Sequence, residues 1–334
     1  MDRLLLPATL VAVMLLSISL IMLPSASATK GSFPGINGKI AFSAPDPQGV
    51  DYEIFVMNED GANIQQLTKN DFDDSDPCWS PDGTKIAFSS DGVIYVMNAD
   101  GTGLRQLTTP PSSYYDYSPS WSPDGTRILF MRAPHGPGAN IYVISSDEKG
   151  TGTLLISDGL SPSWSPDGSK IVYRKQFEDN IWVADAKTGI DLLQLTNSGS
   201  DYSPCWSPDG MKITYDGPGG IWVMNADGSN KKQLTTDPQG GSDNEPNWSP
   251  DGAKIVFSRS EESNWIVNSD GSNPHDLTPT MPNARNPDYQ TITSRPVGGL
   301  VMPTYKLEIL TPYLALAGLV AAVSVVVAVK KRRD

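Results

Sequence analysis

The chain has 334 residues and a formal net charge of −13 at pH 7. So acidic a balance argues against nucleic acid or anionic lipid as a partner, while leaving room for a basic peptide or a metal cation. The first 28 residues have the pattern of an export signal. A charged start (Asp2, Arg3) is followed by an apolar run from Leu4 to Leu23, and Ala26-Ser27-Ala28 offers a small-residue cleavage site. An uncleaved anchor is the alternative, and either form carries the adjoining domain out of the cytoplasm.

Residues 30–294 are organised around one phrase. Trp-Ser-Pro-Asp-Gly occurs five times, at Trp79, Trp121, Trp164, Trp206 and Trp248, spaced 42, 43, 42 and 42 residues apart. A period of 40–45 residues points to propeller blades. A proline stands two residues before each Trp, and an Ile three residues after each Gly. An apolar run such as Ile94-Tyr95-Val96-Met97 comes next, then a turn such as Asn98-Ala99-Asp100-Gly101, then an ending such as Gln106-Leu107-Thr108. Four short apolar segments bounded by Gly, Pro, Asn or Asp read as a four-stranded antiparallel sheet.

The turn chemistry accounts for the phrase. Pro presets φ for the first central position of a β-turn, Asp suits the second, and Gly accepts φ > 0 after it. Asp82, Asp124, Asp167, Asp209 and Asp251 are therefore turn formers, and no chemistry is assigned to them. Trp is a large apolar plate suited to packing between blades.

The set of second to fourth strands occurs six times, beginning near Lys39, Lys85, Arg127, Lys170, Lys212 and Lys254. The first has no proper Trp-Ser-Pro-Asp-Gly ahead of it. A sixth innermost strand stands instead at Pro287-Asp288-Tyr289-Gln290-Thr291, with Tyr289 in the Trp place. A ring must hide its edges. Residues 287–293 are therefore predicted to supply the innermost strand of the blade begun by residues 39–68, giving an all-β, six-bladed propeller. In the alternative, residues 33–36 fill that place.

The five Trp-Ser-Pro-Asp-Gly copies, the Ile-Tyr-Val-Met type strands and the Gln-Leu-Thr endings resemble the WD-like repeats of the TolB-like propeller family over roughly residues 35–293. TolB itself carries an α/β domain ahead of its propeller, and the stretch between residue 30 and the first blade is too short for one. The same repeat occurs in propellers attached to serine peptidases and in surface proteins. Some of its bearers degrade pectin fragments with histidines and a metal.

Three residues before the repeat proline stand Asp74, Asp116, Asp201 and Asp243; Gly159 and Ala284 take the place in the other two repeats. Entering the innermost strands, these aspartates are expected at one mouth of the central channel. There they would hold a cation such as Ca²⁺, or attract a positively charged segment. Capping of their own loops is the competing role. The long loops Ala44 to Asp51 and Arg132 to Ala139, and the cluster Tyr114, Tyr115 and Tyr117, are further places for ligand contact.

Cys78 and Cys205 each precede a repeat Trp, three repeats apart. In a ring of six that puts them across the axis, beyond the ~7 Å between Cα atoms that a disulfide tolerates, and both are expected to be buried. Asn247-Trp248-Ser249 matches a glycosylation signal but falls on an inner strand. Two histidines, His135 and His275, no Gly-x-Ser-x-Gly and no His-Glu-x-x-His give no catalytic set.

Residues 295–308 form a linker. Ile309 to Val329 is then an uncharged run of 21 residues, long enough to span a bilayer of roughly 30 Å. The basic tail 330–334 places that end in the cytoplasm and the propeller outside. The two ends of the chain carry a net +3, so the exported domain by itself carries −16 where the whole chain carries −13. The expectation is a single-pass cell-membrane protein whose propeller binds a protein, peptide or glycan without catalysis. A propeller hydrolase or lyase with an axial metal, or a structural part of the cell envelope, are the alternatives. His135 separates the first two: a catalytic site needs a base beside the carboxylates.

Overall fold

A computed structural model describes residues 34–260 and 263–293. The expected signal peptide, linker, membrane helix and basic tail lie outside the described residues. Among the described residues, no helix is long and apolar enough to cross a membrane.

Six four-stranded antiparallel sheets stand around a common axis. Five are built consecutively, with innermost strands Asp74–Trp79, Tyr114–Trp121, Gly159–Trp164, Tyr202–Trp206 and Asp243–Trp248 opening blades 2 to 6. Blade 1 is composite. Its innermost strand, Arg285–Ile292, comes from the far end of the repeats and pairs with Ile36–Pro45, which continues to Tyr52–Met57 and Gln65–Gln66. In that pairing Ile40 faces Tyr289 and Ala41 faces Asp288. The closure is the one the repeat count predicts, and the alternative through residues 33–36 is not adopted.

Each repeated residue does one identifiable thing. In the first turn Ser80 Oγ donates to Asp82 Oδ1 (2.7 Å), which also accepts the Thr84 N–H (3.0 Å), while Ser80 Oγ accepts the Lys85 N–H (2.9 Å). The other four copies repeat this set, which confirms these aspartates as turn formers. At the outer end, the Thr of Gln-Leu-Thr reaches inward. Thr68, Thr108, Thr196 and Thr235 accept the N–H of Ile54, Ile94, Ile181 and Ile221 at 2.8–2.9 Å. A short edge strand is thus locked to the blade by a side chain.

The core is six clusters, one between each pair of neighbouring blades. Trp79 packs with Ala41, Ile54 and Val56 of blade 1 and with Ile86, Phe88 and Met97 of its own blade. Trp121 packs likewise between blades 2 and 3, and its Nε1 donates to the Cys78 carbonyl of the neighbour (3.1 Å). Tyr289 fills the Trp place in blade 1, buried with Val256, Ile266 and Leu277 of blade 6. Neither a blade nor its neighbour can cover its apolar face alone, so the ring is the unit of stability.

Blade 3 departs from the sequence reading. Tyr114, Tyr115 and Tyr117 are in the innermost strand itself, paired with Pro134, Ala133 and Met131 of a second strand extended to Pro134. A longer hairpin, not a longer loop, carries them.

Candidate functional site

The innermost strand of every blade contains the same bulge. Pairing runs Ser75 to Ser89 and then Cys78 to Ala87, so Asp76 and Pro77 together oppose Phe88; all six blades show this register shift. The residue before the proline takes a left-handed backbone in each: Asp76 (φ 52°), Ser118 (51°), Ser161 (47°), Ser203 (44°), Glu245 (57°) and Asn286 (54°). Each such residue costs of order 1–2 kcal/mol, and none of the six is the glycine that would avoid the cost. The bulge turns these six side chains and the six following prolines to the axis. Proline suits that inner edge because it has no N–H to leave unpaired.

The channel so formed has three tiers. The six pre-proline residues form one, the prolines the next, and Cys78, Ser120, Ser163, Cys205, Asn247 and Asp288 the third, around a cavity of about 180 Å³. At the first tier the channel opens into a chamber of about 470 Å³. Asp76, Glu245, Asn286 and Ser203 belong to both, and Asp216, Arg174, Arg285, Tyr202 and several serines complete the wall.

One chain of hydrogen bonds crosses four blades here. Asn286 donates from Nδ2 to Asp76 Oδ1 (2.9 Å) on one side and to Glu245 Oε1 (2.7 Å) on the other. Its backbone N–H reaches Glu245 Oε2 (3.0 Å), and the Glu245 N–H reaches Asp216 Oδ1 (2.9 Å). The acids are closely held in a place poor in water. Burial first, and then the charge of Asp76, pushes the Glu245 carboxyl up to about 7. Burial first, and then the charge of Glu245, pushes Asp216 well above its ordinary value. Burial raises Asp76 against the hydrogen bonds of Ser118 and Ser89, with Arg285 pulling the other way.

The four aspartates singled out by the sequence are not among the residues lining either axial cavity. They stand two positions earlier, ahead of the bulge, and are buried within their own blades. Asp116 is bound bidentately by Arg132 (2.7 and 2.8 Å), and Asp243 by Arg259 (2.7 and 3.0 Å). Asp74 accepts Asn70 Nδ2 (2.8 Å), and Asp201 donates its N–H to the Asp179 carbonyl (2.9 Å). A count of three residues back from the proline omits the bulge, which rotates the strand so that the residue just before the proline meets the axis. A pre-proline place holding Asp, Ser, Ser, Ser, Glu and Asn is the signal in the sequence that marks the true lining.

As for Ca²⁺, no group of three or more His, Cys, Asp and Glu able to hold a metal ion is found among the described residues. Cys78 and Cys205 are both buried in the third tier, and no disulfide joins them. Asn247, the residue of the glycosylation signal, donates from Nδ2 to Asp288 Oδ1 in the channel wall, so its side chain is engaged. His135 lies on the chamber face, where its N–H bonds the Ser113 carbonyl (3.0 Å) and its ring stacks on Tyr115 at 4.3 Å. It lines neither cavity.

Fold and channel together define a six-bladed WD-like propeller with a polar axial chamber. The chain belongs to the TolB-like β-propeller family: the model of the TolB beta propeller domain matches residues 18–159, 91–218 and 157–288. Among solved structures it is similar to a TolB of Acinetobacter baumannii (22% identity, TM-score 0.65, 78% of this chain and 69% of that one). It is also similar to a TolB of Agrobacterium tumefaciens (21%, TM-score 0.59, 74% and 91%). An oligogalacturonate lyase in complex with manganese shares the fold at 14% identity (TM-score 0.50, 67% and 70%). Likenesses at these identities concern the fold alone. Among curated proteins no match is found.

Proposed function

We propose that the chain is a non-catalytic binding platform, held at the outer side of the cell membrane by the helix read at residues 309–329, with the propeller outside. One observation carries the binding reading. The chamber face gathers charged, amide and hydroxyl groups from most of the blades around one opening, while no histidine, the usual general base, lines it. His135, the residue that would favour a hydrolase or lyase, stacks on Tyr115 and lines neither axial cavity. The partner is an extracytoplasmic protein, peptide or glycan that meets this face.

Two measurements test this. Protease added to intact cells should digest the propeller and leave an epitope at the C-terminus protected; full protection of both would sink the membrane reading. The purified chain, offered to envelope proteins and arrayed glycans, should retain a partner. Retention should fall when Tyr114 and Tyr202 on the chamber face are changed to Ala. Retention indifferent to both changes would place binding elsewhere and refute the assignment of the face.

A further inference from the structure

Arg285 is out of keeping with the other arginines of the inner strands. Arg132 and Arg259 are each clamped by an aspartate of their own blade. Arg174 is held by Asp179 (2.7 Å) and lies over the Tyr202 ring. Arg285 stands instead on the innermost strand of blade 1, paired with Ser43, and no carboxylate forms an ion pair with it among the described residues. The Arg285 guanidinium lies over the Tyr52 ring, 3.9 Å from its centroid, and its buried Nε has no hydrogen-bond partner. A buried donor left unpaired is costly, and a planar guanidinium fixed by stacking is the group that grips a carboxylate in two places.

The wall around it is mainly acidic, its one other arginine, Arg174, being already held by Asp179. Asp76, Glu245 and Asp216 line the same chamber, and the charge of Arg285 favours the ionised forms of Asp76 and Glu245 against their burial. A simple anion would meet three acids, and a simple cation would meet Arg285. The chamber, about 470 Å³, falls in the size range of small-molecule sites. We infer that it takes a small zwitterion of the α-amino-acid class, its carboxylate on the Arg285 fork and its ammonium toward Asp76, Glu245 and Asp216. This rests on the binding reading above and names a ligand for the same face.

The full-length chain, melted in the presence of each free α-amino acid separately at millimolar concentration, should be stabilised by at least one of them. Calorimetry with that amino acid should then give a saturable isotherm. Its N-acetyl derivative, which lacks the cation, and its amide, which lacks the anion, should each bind at least tenfold more weakly. R285K keeps the charge but not the fork and should also lose at least tenfold; E245Q should weaken the amino acid and leave the N-acetyl derivative unchanged. No response to any amino acid, an N-acetyl derivative binding as tightly as its parent, or R285K binding as well as the unaltered chain would each overturn the inference. If none of the amino acids is bound but an envelope protein or glycan is still retained at the chamber face, the zwitterion inference fails and the platform reading stands.

Discussion

The Asp116–Arg132 pair in blade 3 allows a prediction worked from distances. The side chains are 0% and 4% exposed, and the guanidinium makes both bonds to the carboxylate at 2.7 and 2.8 Å. Arg132 also donates Nη1 to the Thr151 carbonyl (2.8 Å) and lies over the Phe130 and Tyr142 rings at 5.2 and 4.6 Å. Arg132→Met keeps the apolar stem against those rings and removes the charge, leaving Asp116 buried and unpaired. Breaking one side of a buried pair costs about 3–5 kcal/mol. In a domain of this size that lowers the melting temperature by about 10 °C. Replacing both partners with D116L/R132M removes the stranded charge, so the double variant should recover most of the loss. Urea unfolding followed by tryptophan fluorescence measures all three, since the repeat tryptophans are buried between blades. If R132M costs under about 1 kcal/mol, or the double variant is no more stable than the single, the pair is not a buried, mutually dependent one.

Other consequences are as direct. Glu245 is raised from its ordinary 4.5 to about 7, so the fold is favoured while this carboxyl is protonated. That contribution is full below pH 4.5 and is lost as pH rises through 7, and E245Q should flatten this decline by about 2–3 kcal/mol between pH 4.5 and 8; identical slopes in urea titrations of the two proteins would remove the assignment. Gly83 and Gly125 occupy the same turn position with φ of 67° and 70°. An added Cβ at Gly83 would come within 2.2 Å of the Thr291 carbonyl, and at Gly125 no nearer than 3.4 Å to Pro81. Gly83→Ala should therefore destabilise clearly more than Gly125→Ala in the same melt, and equal costs would mean that the closing strand can yield. Thr196→Val leaves the Ile181 N–H without its 2.9 Å acceptor and should cost about 1–3 kcal/mol, with faster exchange of that amide by NMR as the check. Tyr289→Ala empties the plate between blades 6 and 1 and should cost about 3–5 kcal/mol; rapid proteolysis near residue 285 would accompany it, and an unchanged digestion pattern would count against closure through this strand.

Blade number, strand order and closure could be read from the sequence because the repeat is self-announcing. Trp79 and its four counterparts mark each interface, and Tyr289 keeps their spacing at the far end. The site was less legible, for a geometric reason. A strand alternates its faces every residue, and one inserted residue reverses them all. Asp74 and Asp116 come before the bulge, in regular pairing, and lie buried within the blade; the bulged residues Asp76 and Ser118 are the ones that reach the channel. The partners Arg132 and Arg259 sit on the second strand, opposite Asp116 and Asp243 in register, a pairing that the repeat period conceals. The contribution of Asn286 depends on two residues remote in sequence, Asp76 and Glu245, on either side of the closure.

Blade 1 is stitched from both ends of the described chain, and this bears on how the molecule is made. Ile40 cannot find Tyr289 until the five intervening blades have been synthesised, and until then the Phe42 face and the blade 6 face around Val256 are bare. Closing so long a loop is slow, and contacts this remote in sequence defer cooperative folding to the end of translation. A polypeptide in that condition completes its ring only when its last strand has emerged, so a chain truncated before that strand would leave two apolar blade faces uncovered.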